Sequence, residues 1–267
     1  MNPEFTAILN RVNDISAHVF DETIQTGNFK KIGDFGTKRV IAFLSEYLKS
    51  KKPRYAVQVA QILGSPGSGK SYLAELILPH LSRSITLSTD QYNYGTREDR
   101  KKIIVKGGTP LDEKDFALLA SHVRELHHLS SYETMVLPGP YDVQSGAALV
   151  RGLTREVTGS FKNIIIEGNF YVGKGGASDI ELDSLIYLHL NDVDRLHVRL
   201  IRDLTQGQTR AKDAEEVFDQ FVSRQATQDT PYTLPFMASS DVILHATPKF
   251  MKDSIKNFSY AVYRKIK

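Results

Sequence analysis

Hydrophobic residues recur along this chain with two different periods, and together they predict alternating helices and strands. Helical spacing over residues 1–19 predicts an amphipathic helix that begins near Pro3. A second helical stripe, over residues 40–48, follows Gly36 and ends in a basic run. The apolar positions of these two stripes are Phe5, Ile8, Leu9, Val12, Ile15, Val19, Val40, Ile41, Phe43, Leu44, Tyr47 and Leu48.

Short apolar runs separated by helical patterns predict the strands. The runs lie at residues 55–63, 84–90, 163–168, 184–190 and 241–244. Residues 116–129, 192–204 and 215–225 have helical spacing instead. Strands that alternate with helices are typical of a parallel sheet flanked by helices, so we predict an α/β fold. From Thr247 onward, the spacing of Met251, Ile255, Phe258 and Val262 predicts a terminal amphipathic helix.

A glycine-rich segment directly after the first predicted strand of this sheet carries the clearest chemical signal. Gly64, Ser65, Pro66, Gly67, Ser68, Gly69, Lys70 and Ser71 match the spacing G-x-x-x-x-G-K-[ST] and lead into a helical pattern. Glycines at this spacing let backbone N–H groups turn toward a phosphate at a helix N-terminus. We therefore predict a phosphate-binding loop, with Lys70 on the outer phosphates, the Ser71 hydroxyl on magnesium, and Tyr72 completing the nucleotide-binding segment.

Two carboxylates follow predicted strands downstream of this loop. Asp90 ends the run at residues 84–90, and Glu167 ends the most apolar strand of the chain. Ligands of parallel sheets bind at the carboxyl edge, so we expect both side chains there. Glu167 is a candidate magnesium-side group, and its alternative interpretation is a strand-end residue that caps the next element.

Arginines recur on one face of the helix predicted at residues 192–204. Arg195, Arg199 and Arg202 stand at positions i, i+4 and i+7. Such a stripe is more often a solvated face, but its place before a glycine-containing turn favours arginines that close on a transferring phosphoryl group.

Composition narrows the range of functions. The chain has 267 residues and a net charge of +3, and it contains no cysteine. The absence of cysteine excludes disulfides, thiolate metal sites and a cysteine nucleophile. The small net charge argues against a nucleic-acid partner, and no run of the sequence is long and apolar enough to predict a membrane span. We expect a cytoplasmic protein, because ATP is available there, and homodimerisation stays open.

The ordered motifs resemble the superfamily of uridine kinase, phosphoribulokinase and bacterial pantothenate kinase. The resemblance covers residues 55–246, and residues 1–54 lie outside it. The segments that carry it are Gly64 to Ser71, Ser88 to Tyr92, Pro140 to Asp142, Ile165 to Gly168, Arg199 to Asp203 and Ser240 to Leu244.

This resemblance implies a P-loop kinase core with an arginine-bearing lid at about residues 195–215, preceded by an N-terminal helical extension at residues 1–54. Asp90 matches the general base of the family, and Ser71 and Glu167 match its magnesium-side groups. Arg199 and Arg202 match lid arginines. The implied cofactors are ATP and Mg²⁺.

The acceptor pocket is less clearly defined by the resemblance. Tyr141 matches a pocket residue, Tyr92 follows the general base, and Arg210 matches the arginine beyond the lid turn. The segment from Lys106 resembles the K-G-x-P segment of the pantothenate kinase branch, and either Asp115 or Asp112 is its equivalent acid. The histidine and the arginine-glycine-arginine of uridine kinases are replaced here by residues 144–146 and 207–210.

Two functions follow from these residues. The first is an ATP- and magnesium-dependent kinase that phosphorylates a hydroxyl of a nucleoside, sugar, sugar acid or pantothenate-like compound. The second is a nucleotide-binding regulatory protein that uses residues 1–54 to bind a partner.

Overall fold

The computed structural model describes residues 3–139, 141, 154–205, 211–251 and 254–266. In chain order its helices are α1 Pro3–Leu9, α2 Ile15–Thr26, α3 Thr37–Ser50, α4 Lys70–Ile77, α5 Arg97–Val105, α6 Phe116–His128, α7 Asp192–Leu200, α8 Ala214–Arg224 and α9 Thr230–Tyr232. The strands are β1 Phe29–Gly36, β2 Gln58–Leu63, β3 Ser84–Ser88, β4 Thr134–Pro138, β5 Thr154–Thr158, β6 Asn163–Gly168, β7 Ser184–His189, β8 Val242–Met251 and β9 Ser254–Lys265.

The described residues divide into two compact units. The first contains the chain up to Leu44, Leu63–Lys70, and the chain from Leu185 onward. The second contains Ser45–Ile62 and Ser71–Ser184. Each unit combines strands with helices, so the predicted α/β class is confirmed.

In the first unit the strands lie in the order β1-β9-β8-β7. Strands β7 and β8 are parallel, whereas β9 pairs antiparallel with both β8 and β1. Helices α1, α7 and α8 of this unit share an apolar core that contains Phe5, Ile8, Leu200 and Phe221. The apolar stripe predicted near the N-terminus therefore packs inside its own unit.

In the second unit the strands lie in the order β2-β6-β3, and β3 and β6 are parallel. Strand β2 is buried along its whole length and β6 along nearly all of it, as expected for strands covered on both faces. A separate antiparallel pair, β4 and β5, also belongs to this unit.

The sequence expectations fail at both ends of the chain. The single helix expected over residues 1–19 is two helices, because Asp14 accepts a hydrogen bond from the Ala17 amide and begins α2 anew. Strand β1, which was not predicted, lies within residues 1–54, a segment that was expected to be helical.

The terminal helix expected from Thr247 is wrong, since residues 242–265 form the antiparallel hairpin β8–β9. Apolar positions such as Ile255, Phe258 and Val262 fit helical spacing, but Phe258, Tyr260 and Val262 also alternate as a strand does. Pairing with two neighbouring strands buries Tyr260 and Val262, and this long-range contact decides the structure.

No helix within the described ranges has both the length and the apolar character needed to cross a bilayer.

Candidate active site

The glycine-rich loop has the backbone that a phosphate-binding loop needs. It connects β2 to α4, and Gly67 and Gly69 have φ angles of 88° and 90°, which side-chain-bearing residues rarely adopt. Gly64 packs so closely against the Leu188 carbonyl that a Cβ atom would collide with it. Glycine is therefore required at all three positions for physical reasons.

The polar side chains of the loop are directed into it. Lys70 is 7% exposed, and its ammonium donates to the Ser65 carbonyl at 3.0 Å. The Ser68 hydroxyl is buried and has no hydrogen-bond partner among the described residues. A buried hydroxyl without a partner is costly unless a ligand satisfies it.

Two arginines of α7 are buried in the same unit as the loop. Arg199 packs on Gly67, because a Cβ atom added there would lie 3.2 Å from its Cγ. Its Nε has no hydrogen-bond partner within the described part of the chain and lies 3.8 Å from the Asp203 carboxylate. Burial lowers the pKa of Arg199, and the neighbouring charge of Arg224 acts in the same direction. This guanidinium would consequently be stabilised by an additional anionic group close to its Nε.

Arg202 is less buried than Arg199, and it forms a two-point ion pair with Asp203 at 2.7 and 3.1 Å. The predicted arginine stripe is therefore not a solvated face, since Arg195 and Arg199 are at most 2% exposed. Arg210 lies outside the described residues, as does the rest of 206–210, so the lid expected at about 195–215 is described only in part.

The first unit contains buried hydrogen-bond donors that suit the phosphate oxygens of a nucleotide. Ser68 Oγ and Arg199 Nε are buried donors that need an acceptor, and Gly67 and Gly69 have the left-handed φ angles that a phosphate-binding loop needs. Phosphate oxygens are acceptors of the right charge for both groups. The residues present therefore fit the phosphates of ATP.

In the second unit, strand register brings the two predicted carboxylates toward one edge. Ser88 of β3 pairs with Glu167 of β6, and Asp90 follows two residues later in a short 3₁₀ helix, Thr89–Tyr92. Glu167 is 6% exposed. A Cβ atom at Gly168 would collide with the Thr89 side chain, so this glycine allows the 3₁₀ helix to approach β6.

Lys114 holds Asp90, and the sequence analysis missed it. Its buried ammonium donates to Asp90 Oδ1 at 2.7 Å, to Asn93 Oδ1 at 2.6 Å and to the Thr89 carbonyl at 3.2 Å. The Asp90 side chain is 45% exposed, so it remains accessible to solvent despite this contact. A lysine between acidic residues is usually solvated, and no local signal distinguishes this one.

The predicted acceptor residues differ in their surroundings. Tyr92 is fully buried, and its hydroxyl lies 3.0 Å from His122 Nδ1. Burial raises the pKa of Tyr92 and lowers that of His122, so both groups are neutral near pH 7. Tyr141 is partly exposed. This burial favours a structural role for Tyr92 and leaves Tyr141 available to a ligand.

The two candidate acids of the next segment both cap helices. Asp115 accepts from the Leu118 amide at 2.8 Å at the start of α6. Asp112 is exposed and accepts from the amide and hydroxyl of Thr109. Because the Asp115 amide also donates to the Tyr92 carbonyl at 2.8 Å, Asp115 is the acid tied to the 3₁₀ helix of Asp90.

The magnesium-side residues are compatible with a weakly coordinated ion. Ser71 and Tyr72 are exposed, whereas Glu167 is buried. No cluster of three or more His, Asp or Glu side chains suited to a metal occurs within the described ranges. Mg²⁺ in phosphoryl-transfer sites usually takes one or two protein ligands, and substrate phosphates and water supply the others.

Comparisons with known proteins give structural matches only. No protein-family model matches the sequence, and neither does any curated protein. D-glycerate 3-kinase from Cryptococcus neoformans var. grubii matches 83% of this chain and 98% of its own, with a TM-score of 0.52 and 14% identity. The protein YGR205w matches 86% of this chain and 99% of its own, with a TM-score of 0.53 and 18% identity.

Phosphoribulokinase from Rhodobacter spheroides also matches, over 74% of this chain and 73% of its own, at a TM-score of 0.47 and 10% identity. We base the fold on the two matches with TM-scores above 0.5. At these identities the likeness establishes the fold alone. The chain has the P-loop kinase fold that its motifs predicted, shared with D-glycerate 3-kinase and YGR205w.

Proposed function

We propose that this protein is an ATP- and magnesium-dependent kinase that transfers the γ-phosphoryl group to a hydroxyl of a small metabolite. The observation that carries the proposal is the pair of buried, unsatisfied donors in the unit of the glycine loop, Ser68 Oγ and Arg199 Nε. A P-loop kinase fold shared with a protein named as a D-glycerate 3-kinase supports the same conclusion.

On the donor side, the loop amides from Gly64 to Ser71 and the ammonium of Lys70 bind the β- and γ-phosphates. Tyr72 follows at the start of α4. Arg199 and Arg202 neutralise charge that develops on the transferring group, which is the main catalytic requirement of phosphoryl transfer.

Ser71 and Glu167 are the residues that would hold a magnesium ion in this proposal. A bound ion would supply neutralisation of phosphate charge. The buried position of Glu167 at the end of β6 supports its assignment, because a carboxylate with little access to water gains more from a cation.

On the acceptor side, Asp90 orients the attacking hydroxyl and accepts its proton. The contact with Lys114 holds one carboxylate oxygen of Asp90, and the side chain is 45% exposed, so a substrate hydroxyl can approach it from solvent. Tyr141, Asp115 and Arg210 are the proposed acceptor-binding residues. Nucleosides, sugars, sugar acids and pantothenate-like compounds all remain candidate acceptors.

The test is magnesium-dependent ADP release from ATP across a panel of hydroxyl metabolites that includes D-glycerate. Lys70→Ala serves as the inactive control, and Lys101→Ala serves as a matched control because Lys101 is exposed on α5. The proposal expects one acceptor to raise ADP release many-fold in the wild type and in Lys101→Ala, but not in Lys70→Ala. Equal release by Lys70→Ala would contradict it.

The regulatory alternative has less support. It needs a free apolar face in the N-terminal segment, yet Phe5, Ile8 and Leu9 are buried in the core with α7 and α8. Under this alternative the protein binds nucleotide, but no hydroxyl metabolite of the panel stimulates ADP release. The ADP-release assay therefore distinguishes the two functions.

A further inference from the structure

The first unit contains a buried ion-pair network centred on Arg195, a residue that the proposed function leaves without a role. Arg195 is 1% exposed and lies between the buried carboxylates of Asp192 and Asp229. Its Nε and Nη2 both donate to Asp192 Oδ1, and its Nη1 donates to Asp229 Oδ2 at 2.7 Å. With both carboxylates paired, the guanidinium is held in one orientation.

The same guanidinium reaches the glycine loop. Arg195 Nη1 also donates to the Pro66 carbonyl at 3.3 Å, directly before Gly67. The Arg195 carbonyl lies 3.7 Å from the position that a Cβ atom at Gly67 would occupy. Arg195 thus contacts the loop at the Pro66 carbonyl and lies beside Gly67.

The network also reaches the N-terminal segment. Asp192 Oδ2 accepts from the Ser16 amide at 2.8 Å and from Gln225 Nε2 at 2.5 Å. In return, Asp14 Oδ1 accepts from the Asp192 amide at 3.0 Å. The start of α2 is therefore bonded to the carboxylate that orients Arg195.

We infer that Arg195 is a positioning residue for the phosphate-binding loop, and that Asp14 and Ser16 at the start of α2 support it through Asp192. The inference rests on the proposed nucleotide site. Its physical basis is that a loop with two left-handed glycines needs outside contacts to keep its amides pointed at one place. The N-terminal segment is then part of the nucleotide site without touching the nucleotide.

The test compares Arg195→Lys and Asp14→Ala with two control variants of the full chain. Lysine keeps the charge of Arg195 but has no planar fork to contact two carboxylates and a carbonyl. Asp213→Ala is the control for Asp14→Ala, because each aspartate caps a helix and Asp213 lies outside the network. Leu196→Ala is the control for destabilisation within α7.

Two quantities are measured at a temperature where every variant is folded by circular dichroism. The first is hydrogen exchange of the Gly67 and Ser68 amides without nucleotide, and the second is the Kd for Mg-ATP. Arg195→Lys should speed exchange and raise the Kd about tenfold. Asp14→Ala should change both in the same direction by about threefold. Asp213→Ala and Leu196→Ala should leave both values near those of the wild type.

The inference is overturned if Arg195→Lys has the amide exchange rates and the Kd for Mg-ATP of the wild type. It is also overturned if the control variants change these two quantities as much as Asp14→Ala does. If Arg195→Lys does not fold, Asp229→Asn replaces it, since the amide keeps the shape and removes the charge that faces Arg195 Nη1. A wild type that binds no nucleotide would refute the proposed function, whereas the exchange measurement would still test the role of Arg195 in the loop.

Discussion

Replacing Lys114 by methionine removes the ammonium that holds Asp90 and keeps a side chain of similar length. The Lys114 ammonium donates to three acceptors, and two of them, the Thr89 carbonyl and the Asn93 side chain, are buried. Each buried acceptor left without its donor costs about 1–3 kcal/mol. Asp90 is half exposed, so water can replace the lost contact and it adds little. We therefore expect Lys114→Met to lower the free energy of unfolding by about 2–6 kcal/mol.

Urea unfolding at an unchanged slope measures this loss, with Lys101→Met as the control because its contact with Glu98 is exposed. The control should change stability by less than about 0.5 kcal/mol. In the acceptor-stimulated assay, Lys114→Met should lower kcat at least about tenfold while the Kd for ATP stays unchanged, since only the base has lost its orientation. A variant as stable and as active as the wild type would refute the reasoning.

Three further changes test other parts of the structure. Gly67→Ala should weaken ATP binding more than Gly69→Ala, because both impose left-handed strain of about 1–2 kcal/mol but only the first also meets a side chain; equal Kd values would contradict this. Gly168→Ala should lower the melting temperature, since its Cβ atom has no room beside Thr89; an unchanged transition would count against this packing. Burial raises the pKa of Asp194 to about 6 from 3.8, with Asp14 adding to the shift, so the folded chain retains this proton and stability falls as pH rises between those values. The free energy of unfolding of Asp194→Asn should therefore equal that of the wild type below pH 4 and exceed it by about 1 kcal/mol above pH 6. This figure is reduced from the full effect of the pKa shift because the group is partly exposed. A difference in urea unfolding that does not depend on pH would exclude this cause.

The central part of the fold could be predicted because its signals are local. The run before Gly64 and the run ending at Glu167 are rich in apolar residues, and the structure contains β2 and β6 there. The glycine spacing implied a conformation that only glycine adopts readily, and the φ angles of Gly67 and Gly69 agree.

The remaining features depend on contacts between distant residues. Strand β9 has an ambiguous period, and only its pairing with β1 and β8 makes it a strand. Lys114 looks like a surface residue until the 3₁₀ helix of Asp90 folds against it. The arginine stripe that contains Arg195 is by itself more typical of a solvated face, and the ion pairs with Asp192 and Asp229 explain why Arg195 is buried instead.

The most direct measurement of the central claim follows the label from γ-³²P-ATP in the presence of the best acceptor of the panel. The wild type should place the label in an organic phosphate, and Asp90→Asn should bind ATP with an unchanged Kd while transferring almost none, because an amide does not accept the hydroxyl proton. Label found only in inorganic phosphate, or full transfer by Asp90→Asn, would contradict the assignment of this protein as a kinase that uses Asp90 as its base.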